Sequence, residues 1–177
     1  MLPETIRFTK MSAGGNDFVC IDNTAGLYDA LLSDPFFPAF IQSVCRRGLC
    51  VGADGVIIAG PRGSGDGVDI VARFLEPDGS EARLCGNGTA CFAYWCLAEG
   101  LVRGPKVDIL TAAGAAHARP NDDDCSRIRV CVPNPKPLTL DRRVSACGRN
   151  WTVHTIDTGV PHAVIFEIGR ASCRERV

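Results

Sequence analysis

Four consecutive residues, Cys85-Gly86-Asn87-Gly88, join a nucleophilic side chain to a glycine-rich stretch. Directly after them, Thr89–Glu99 is apolar on nearly all sides and is closed by Gly100. This pattern predicts a buried helix that begins near the glycines. The first N–H groups of a helix lack intrahelical partners, so this end can bind an anion such as a carboxylate, and glycines let the anion approach the backbone.

The same helix end favours the thiolate form of Cys85, because the positive end of the helix dipole stabilises a negative charge. A thiolate beside a bound carboxylate is suited to moving a proton at the carbon atom next to that carboxylate. An inert cysteine at a glycine-rich helix entry is the alternative interpretation of these four residues.

The elements that would position this helix are mainly strands. A further helix is expected from Pro35 to Arg47, with Gly48 just past its end. The chain therefore indicates an α+β fold, a mixed, curved β-sheet wrapped around one central buried helix, followed by the start of a second unit. The expected strands are short and are separated by turns; they are Ile6–Met11, Phe18–Asp22, Val56–Ala59, Val68–Leu75, Val107–Thr111, Ala115–Arg119, Arg127–Val132, Thr152–Asp157 and Ala163–Phe166.

Composition excludes several classes of protein. The 177 residues are 46% hydrophobic and 22% charged, which is ordinary for a globular protein. The formal net charge is −1 with no basic stripe, so neither nucleic acid nor a membrane is an expected partner. No apolar run approaches membrane-spanning length, and the first ten residues contain no signal-like apolar segment. A cytoplasmic location is the expectation.

Ten cysteines raise the questions of disulfides and zinc. Disulfides would be expected in a short secreted chain, but nothing here indicates secretion. Zinc sites need short paired spacings such as C-x2-C, and the closest pairs here are separated by four or five residues. No metal site is predicted, and most of the thiols are interpreted as small buried side chains.

Four stretches occur in an order that is informative when they are taken together: KMSAGGNDFVCID, GADG, PDGSEARLCGNGTACFA and TGVPHAV. In this order they resemble the N-terminal half of diaminopimelate epimerases, a family of cofactor-independent amino-acid racemases. The resemblance runs from about Ile6 to Phe166, and its most specific part is the Cys-Gly-Asn-Gly block. It implies a small amino-acid substrate, no cofactor and an isomerase of lysine and peptidoglycan precursor biosynthesis; a homodimer is compatible with it in the full-length protein.

The resemblance also implies roles for individual residues. Cys85 matches one of two catalytic cysteines that act on opposite faces of the substrate's α-carbon, epimerising LL-2,6-diaminopimelate to the meso form. Gly86 and Asn87 match the helix-end amides that hold the reacting carboxylate. Asn16 matches a substrate-binding asparagine, for which a turn residue is the alternative, and His162 matches an active-site histidine.

The chain departs from the family pattern where the far end of the substrate is bound. Glu76 replaces an asparagine before the Asp-Gly-Ser turn, Val160 replaces an asparagine before Pro-His, and Gly55 stands where some members have glutamine. Glu76 remains a candidate substrate-binding residue. A related racemase with another substrate that also works without pyridoxal phosphate, such as a relative of the proline racemases, is therefore an alternative.

No Cys-Gly-Ser/Thr-Gly motif, which would carry the family's second catalytic cysteine, follows Cys85 in this chain. The expected division is residues 1–132 as an epimerase domain and 133–166 as the truncated start of a second one. Residues 167–177 are expected to be a non-native tail, because EIGRASCRERV can be back-translated as sequencing-adapter read-through. A non-catalytic, carboxylate-binding fragment is the remaining alternative, and the isolated chain is expected to be inactive in epimerisation.

Overall fold

The computed structural model describes residues 5–61 and 67–166, and the chain divides into two units after Pro133. The residues of the expected tail, 167–177, lie outside the described residues. The elements of the first unit are β1 (Thr9–Ala13), β2 (Asn16–Asp22), α1 (Asp29–Leu32), α2 (Phe37–Cys45), β3 (Gly55–Gly60), β4 (Ile70–Leu75), β5 (Glu81–Ala82), α3 (Gly86–Ala98), β6 (Val107–Thr111), β7 (Gly114–Pro120) and β8 (Ile128–Cys131).

The strands of the first unit form one eight-stranded mixed sheet in the order β1-β2-β3-β4-β6-β7-β8, with β5 paired to β4. The pairs β2/β3 and β4/β6 are parallel, and the other pairs are antiparallel. Helix α3 packs against strands at both ends of this order, including β1 and β8. The expected α+β fold, with a curved mixed sheet around a buried helix, is confirmed.

Both faces of the central strands are covered, which explains why their sequences are continuously apolar. Along β2, Phe18 and Cys20 belong to the core around α3, whereas Val19 and Ile21 belong to a second core under α1 and α2. Strand β3 repeats this alternation, since successive side chains of a strand point to opposite faces. The largest side chain that is fully enclosed is Phe92 of α3.

The second unit contains a three-stranded antiparallel sheet in the order β11-β10-β9. Its strands are β9 (Thr139–Ala146), β10 (Arg149–Asp157) and β11 (Pro161–Val164). Strand β9 was not expected from the sequence, because all eight of its residues are exposed and it has no apolar alternation. No helix in the described part of the chain is long and apolar enough to span a membrane.

Candidate active site

Cys85 is the N-cap of α3 and has an extended backbone conformation. Its Sγ atom accepts a hydrogen bond from the backbone N–H of Gly88 at 3.3 Å. The buried Thr89 closes the first turn of the helix. Its N–H and its hydroxyl both donate to the Cys85 carbonyl at 2.7 Å. The helix thus begins at Gly86, in the glycine stretch where its start was expected and three residues before the apolar run from Thr89.

The two glycines of this helix start have different surroundings. A Cβ atom on Gly86 would meet no atom within 4 Å, so this position opens onto free space. A Cβ atom on Gly88 would lie 3.0 Å from Phe74 and 3.2 Å from the Cβ of Cys85. Because Cys85 already accepts from the amides of Gly88 and Thr89, the amides of Gly86 and Asn87 are the two that an anion can use.

Asn87 and Asn16 meet at this helix end although they are 71 residues apart. The Asn87 Nδ2 atom donates to Asn16 Oδ1 at 2.8 Å and approaches the Gly14 carbonyl at 3.5 Å. Gly14 has a φ of +59°, and a Cβ atom there would lie 2.7 Å from the Asn87 Cγ atom. The tight Gly14-Gly15 turn between β1 and β2 therefore brings the two asparagines together, which a larger residue at position 14 would prevent.

A charged cluster lies behind Asn16. Asp54 accepts from Asn16 Nδ2 at 3.2 Å and from the Asp17 backbone N–H at 3.1 Å. The Arg47 guanidinium pairs with Asp54 at 2.7 Å and also donates two hydrogen bonds to Asp17. Lys10 forms an ion pair with Asp17 at 2.9 Å.

The cluster has a clear electrostatic consequence for Asp17. Its hydrogen bonds to Arg47 are the largest influence, they outweigh desolvation, and with Lys10 they hold the pKa of Asp17 well below its usual range. In turn the two carboxylates raise the pKa of Arg47 above its usual value. Both side chains are therefore charged at neutral pH, and the cluster is a fixed part of the site's framework.

Cys85 differs from the neighbouring thiols in being partly exposed. Burial raises the pKa of Cys20 to about 12. The pKa of Cys91 is raised to about 11, first by burial and then by the nearby Cys85. Burial also raises the pKa of Cys96. These three thiols are protonated at neutral pH, and they differ in this burial from the partly exposed Cys85.

A cavity of about 630 Å³ runs along the flank of α3 next to Asn87. Its lining includes Gly14 from the β1–β2 turn and Cys91 and Tyr94 from α3. It offers space beside the helix start for a small molecule.

Glu76 belongs to the first unit and follows β4 directly. Its turn is held against α2, because Gln42 donates to the Asp78 carbonyl at 2.8 Å and Gly79 lies against Pro38. The Glu76 side chain is exposed, and its pKa is raised by partial desolvation and by the Asp78 carboxylate. Among the residues that the structure describes, no hydrogen bond or ion pair to its carboxylate is present.

His162 and Val160 belong to the second unit. His162 lies on β11 opposite Ile156 of β10 and lines a cavity of about 470 Å³ together with Lys136 and Arg142. Among the sequence-predicted residues, the structure thus brings Cys85, Gly86, Asn87 and Asn16 together in the first unit.

The sequence does not single out the residues behind the site, which are Asp54, Arg47, Asp17 and Lys10. The Gly-Ala-Asp-Gly and Gly-Asn-Asp-Phe stretches contain the two aspartates and are the signals that could have indicated them. Neither motif indicates that its aspartate would pair with Arg47, which lies two residues after the end of α2.

Within residues 5–61 and 67–166, no cluster of three or more histidine, cysteine, aspartate or glutamate side chains could hold a metal ion. The aspartates of the Asp122–Asp124 turn contact residues close in sequence. Asp122 pairs with Arg119, and Asp124 accepts hydrogen bonds from Ser126.

Comparison with known proteins gives consistent results. The sequence profile of the family described as diaminopimelate epimerase matches residues 8–133. Proteins named diaminopimelate epimerase from Archaeoglobus fulgidus and Methanothermobacter thermautotrophicus are 34% and 35% identical to this chain. Each alignment covers 91% of this chain, but only 58% and 59% of the relative, so the chain spans less than two thirds of their length.

Two solved structures share the fold at lower sequence identity. A probable proline racemase from Agrobacterium radiobacter K84 has a TM-score of 0.69 at 20% identity, covering 91% of this chain and 52% of that one. A hydroxyproline epimerase from Agrobacterium vitis has a TM-score of 0.68 at 16% identity, covering 90% and 51%.

Proposed function

The chain belongs to the diaminopimelate epimerase family, and we propose that it supplies one catalytic half-site for epimerisation of LL-2,6-diaminopimelate to the meso form. The reaction needs no cofactor and serves lysine and peptidoglycan precursor biosynthesis. The observation that carries the proposal is the placement of Cys85 as the N-cap of α3, beside the amides of Gly86 and Asn87.

The proposed reaction begins when the substrate's reacting carboxylate binds to the amides of Gly86 and Asn87. The Cys85 thiolate removes the proton from the α-carbon, and the electron pair of the C–H bond passes toward the carboxylate oxygens. The helix-end amides stabilise the charge that develops there. A thiol on the opposite face, from the family's second cysteine motif, returns a proton to the carbon, and the centre is inverted. In the reverse direction the two sulfur atoms exchange roles.

The other candidate residues have supporting roles in this proposal. Asn16 binds substrate beside Asn87, and the 2.8 Å hydrogen bond between their side chains supports this assignment. His162 is assigned to the active site because of its Pro-His context, and Glu76 is assigned to the far end of the substrate. Residues 1–132 form the first epimerase domain and 133–166 begin the second, an assignment supported by the change of unit after Pro133. A cytoplasmic homodimer is proposed for the full-length protein.

One specific observation favours a second candidate function, a racemase for an amino acid with a basic far end. Glu76 places a carboxylate where the family has an amide. Two like charges about 4 Å apart repel by about 1 kcal/mol in water and about 4 kcal/mol at an effective dielectric near 20. A substrate ammonium would instead be attracted. Gly55 also differs from the glutamine of some family members, and a Cβ atom there would lie 2.8 Å from the Leu75 carbonyl.

Hydrogen exchange at the α-carbon tests the half-site. The 177-residue chain is incubated in D2O with LL-diaminopimelate, and mass spectrometry measures deuterium uptake while chiral chromatography measures inversion. We expect uptake without inversion, and we expect Cys85→Ala to abolish the uptake. Inversion by the 177-residue chain that is lost in Cys85→Ala would show that one cysteine is enough and would contradict the two-cysteine proposal.

Sequencing the gene from intact DNA supplies the second test. If its product inverts diaminopimelate and carries a second Cys-Gly-Ser/Thr-Gly motif, the two-cysteine proposal stands. Comparing diaminopimelate with lysine, in the wild type and in Glu76→Asn, separates the two candidate substrates. An unchanged rate and affinity for diaminopimelate in Glu76→Asn would show that Glu76 does not face the substrate.

A further inference from the structure

Two asparagine side chains at the start of α3 are joined in series to one carboxylate. A side-chain amide has a donor end and an acceptor end, and either end can occupy nearly the same volume. A carboxylate paired with a guanidinium can only accept. The residue at the end of such a series therefore decides which way every amide in it points.

Asp54 is this end residue, and its position is held from several sides. One of its oxygens pairs with Arg47 at 2.7 Å, and the other accepts from Asn16 Nδ2 and from the Asp17 N–H. Its own backbone N–H donates to the Asp17 carbonyl at 2.9 Å. The carboxylate cannot turn without breaking several of these contacts.

The orientation passes along the series one hydrogen bond at a time. Because the amide nitrogen of Asn16 must face Asp54, its oxygen must face Asn87. Asn87 then has to direct its nitrogen toward Asn16, at 2.8 Å, and toward the Gly14 carbonyl. The Asn87 Oδ1 atom is the end that remains, and it receives no hydrogen bond from any residue that the structure describes. Asn87 itself is half-buried at the helix start and lines the cavity beside α3.

We infer that Asp54, held by Arg47, is a positioning residue that makes Asn87 present an oxygen to the substrate's reacting ammonium group. The inference rests on the proposed function, because it assumes an amino-acid substrate at this helix end. The reacting end of an amino acid carries a carboxylate and an ammonium on one carbon. The amides of Gly86 and Asn87 suit the carboxylate, and an acceptor oxygen beside them suits the ammonium. If the Asn87 amide were reversed, its N–H groups would face the substrate ammonium, and both are hydrogen-bond donors.

The first experiment needs no substrate. Side-chain amide resonances of Asn16 and Asn87 are assigned by 15N NMR in the 177-residue chain and in Asp54→Asn, which keeps the shape but can donate as well as accept. We expect both pairs of resonances to move in Asp54→Asn. The matched control is Asp122→Asn, which removes the charge of another aspartate–arginine pair, and there we expect both to stay in place. Unchanged Asn16 and Asn87 resonances in a folded Asp54→Asn would overturn the inference.

The second experiment separates positioning from general support of the fold. LL-diaminopimelate and pimelate, which has the carboxylates but no ammonium, are titrated against each variant. We expect Asp54→Asn to weaken diaminopimelate about tenfold while pimelate changes less than twofold. Equal weakening of both probes would overturn the role toward the ammonium. If the wild-type chain binds neither probe, the proposed function fails at this site, and the resonances alone still decide whether Asp54 orients the amides.

Arg47→Gln covers the case in which Asp54→Asn does not fold. Arg47 is more than half exposed, and this change keeps the Asp54 carboxylate but removes its partner. We expect the Asn16 and Asn87 resonances to move in this variant as well, by less than in a folded Asp54→Asn. No movement in Arg47→Gln would contradict the claim that Arg47 holds the series.

Discussion

The thiols near α3 share one chemistry and differ only in their surroundings. Cys20 and Cys91 lie in the core, where burial raises their pKa values to about 12 and about 11. The pKa of a cysteine thiol in the unfolded chain is about 8.5. A thiol whose pKa is higher in the folded chain makes its full contribution to the stability of the fold below about pH 8.5. This contribution is lost as the pH rises toward the folded value, so the fold should weaken in alkaline solution between about pH 8.5 and 12.

Brief alkylation with iodoacetamide at pH 8 should therefore distinguish the accessible cysteines from the buried ones. We expect Cys85 and the exposed Cys50 and Cys147 to be labelled in the native chain, with Cys20 and Cys91 labelled only in urea. Peptide mass spectrometry measures the labelling at each site. Rapid native labelling of Cys20 would show that the core around α3 is open.

Asp17 gives the opposite dependence on pH. Its pKa in the folded chain lies below the unfolded value, which is about 3.9, so its contribution to stability is fully present above about pH 4. It is lost as the pH falls through the folded pKa. We expect Asp17→Asn to lower the urea midpoint at pH 7, and the difference from wild type to shrink as the pH falls below 4.

Asp122→Asn is the control for this measurement, because it removes the carboxylate of an exposed ion pair. Its effect at pH 7 should stay within about 0.5 kcal/mol. A difference between wild type and Asp17→Asn that is the same at pH 7 and at pH 3 would contradict the assigned role of the Arg47 and Lys10 charges.

At the scale of the elements, the start of α3 provides a matched pair of glycines. Alanine at either position gains similar helix propensity, but only the Cβ atom at Gly88 meets Phe74 at 3.0 Å. We expect Gly88→Ala to be less stable than Gly86→Ala by about 1–3 kcal/mol, the usual cost of overpacking. Urea unfolding of the two variants measures this difference, and equal stabilities would mean that Phe74 moves aside freely.

The elements also show what the sequence could and could not predict. Helix α3 and strands β2 and β3 were predictable from their apolar runs with turn signals at the ends, and β6 was predictable from its alternating pattern, in which buried and half-buried residues follow each other. The start of α3 among the glycines was also expected, but the capping contacts of Cys85 with Gly88 and Thr89 could not be predicted from residue types alone. Strand β9 lacks any buried residue, so hydrophobic periodicity could not find it.

Some residues of the candidate site could likewise be predicted from the sequence, and others could not. Cys85, Asn16 and Asn87 could be selected from local motifs, and their roles toward substrate stay predictions. The Asp54–Arg47 pair could not be selected, because its importance depends on a hydrogen-bond series from Asp54 through Asn16 of β2 to Asn87 of α3. Motifs name residue types, whereas amide orientation depends on partners that are distant in sequence.

At the scale of the whole molecule, each unit has one tryptophan, Trp95 in the first and Trp151 in the second. In a Trp151→Phe background, fluorescence therefore follows the first unit alone. We expect Phe92→Ala in this background to lower the free energy of unfolding by about 3–5 kcal/mol, because the ring is fully buried against α3's neighbours. Urea titration measures the change, and a loss below about 1 kcal/mol would show that the core collapses around the missing ring.

The position of α3 between β1 and β8 has a consequence for biosynthesis. The ribosome releases α3 well before β8, which ends at Cys131, yet both strands pack on this nearly all-apolar helix. During translation of the intervening residues, α3 lacks part of its packing partners, so some of its apolar surface is exposed to solvent. The core around α3 can be completed only when the residues up to Cys131 have left the exit tunnel.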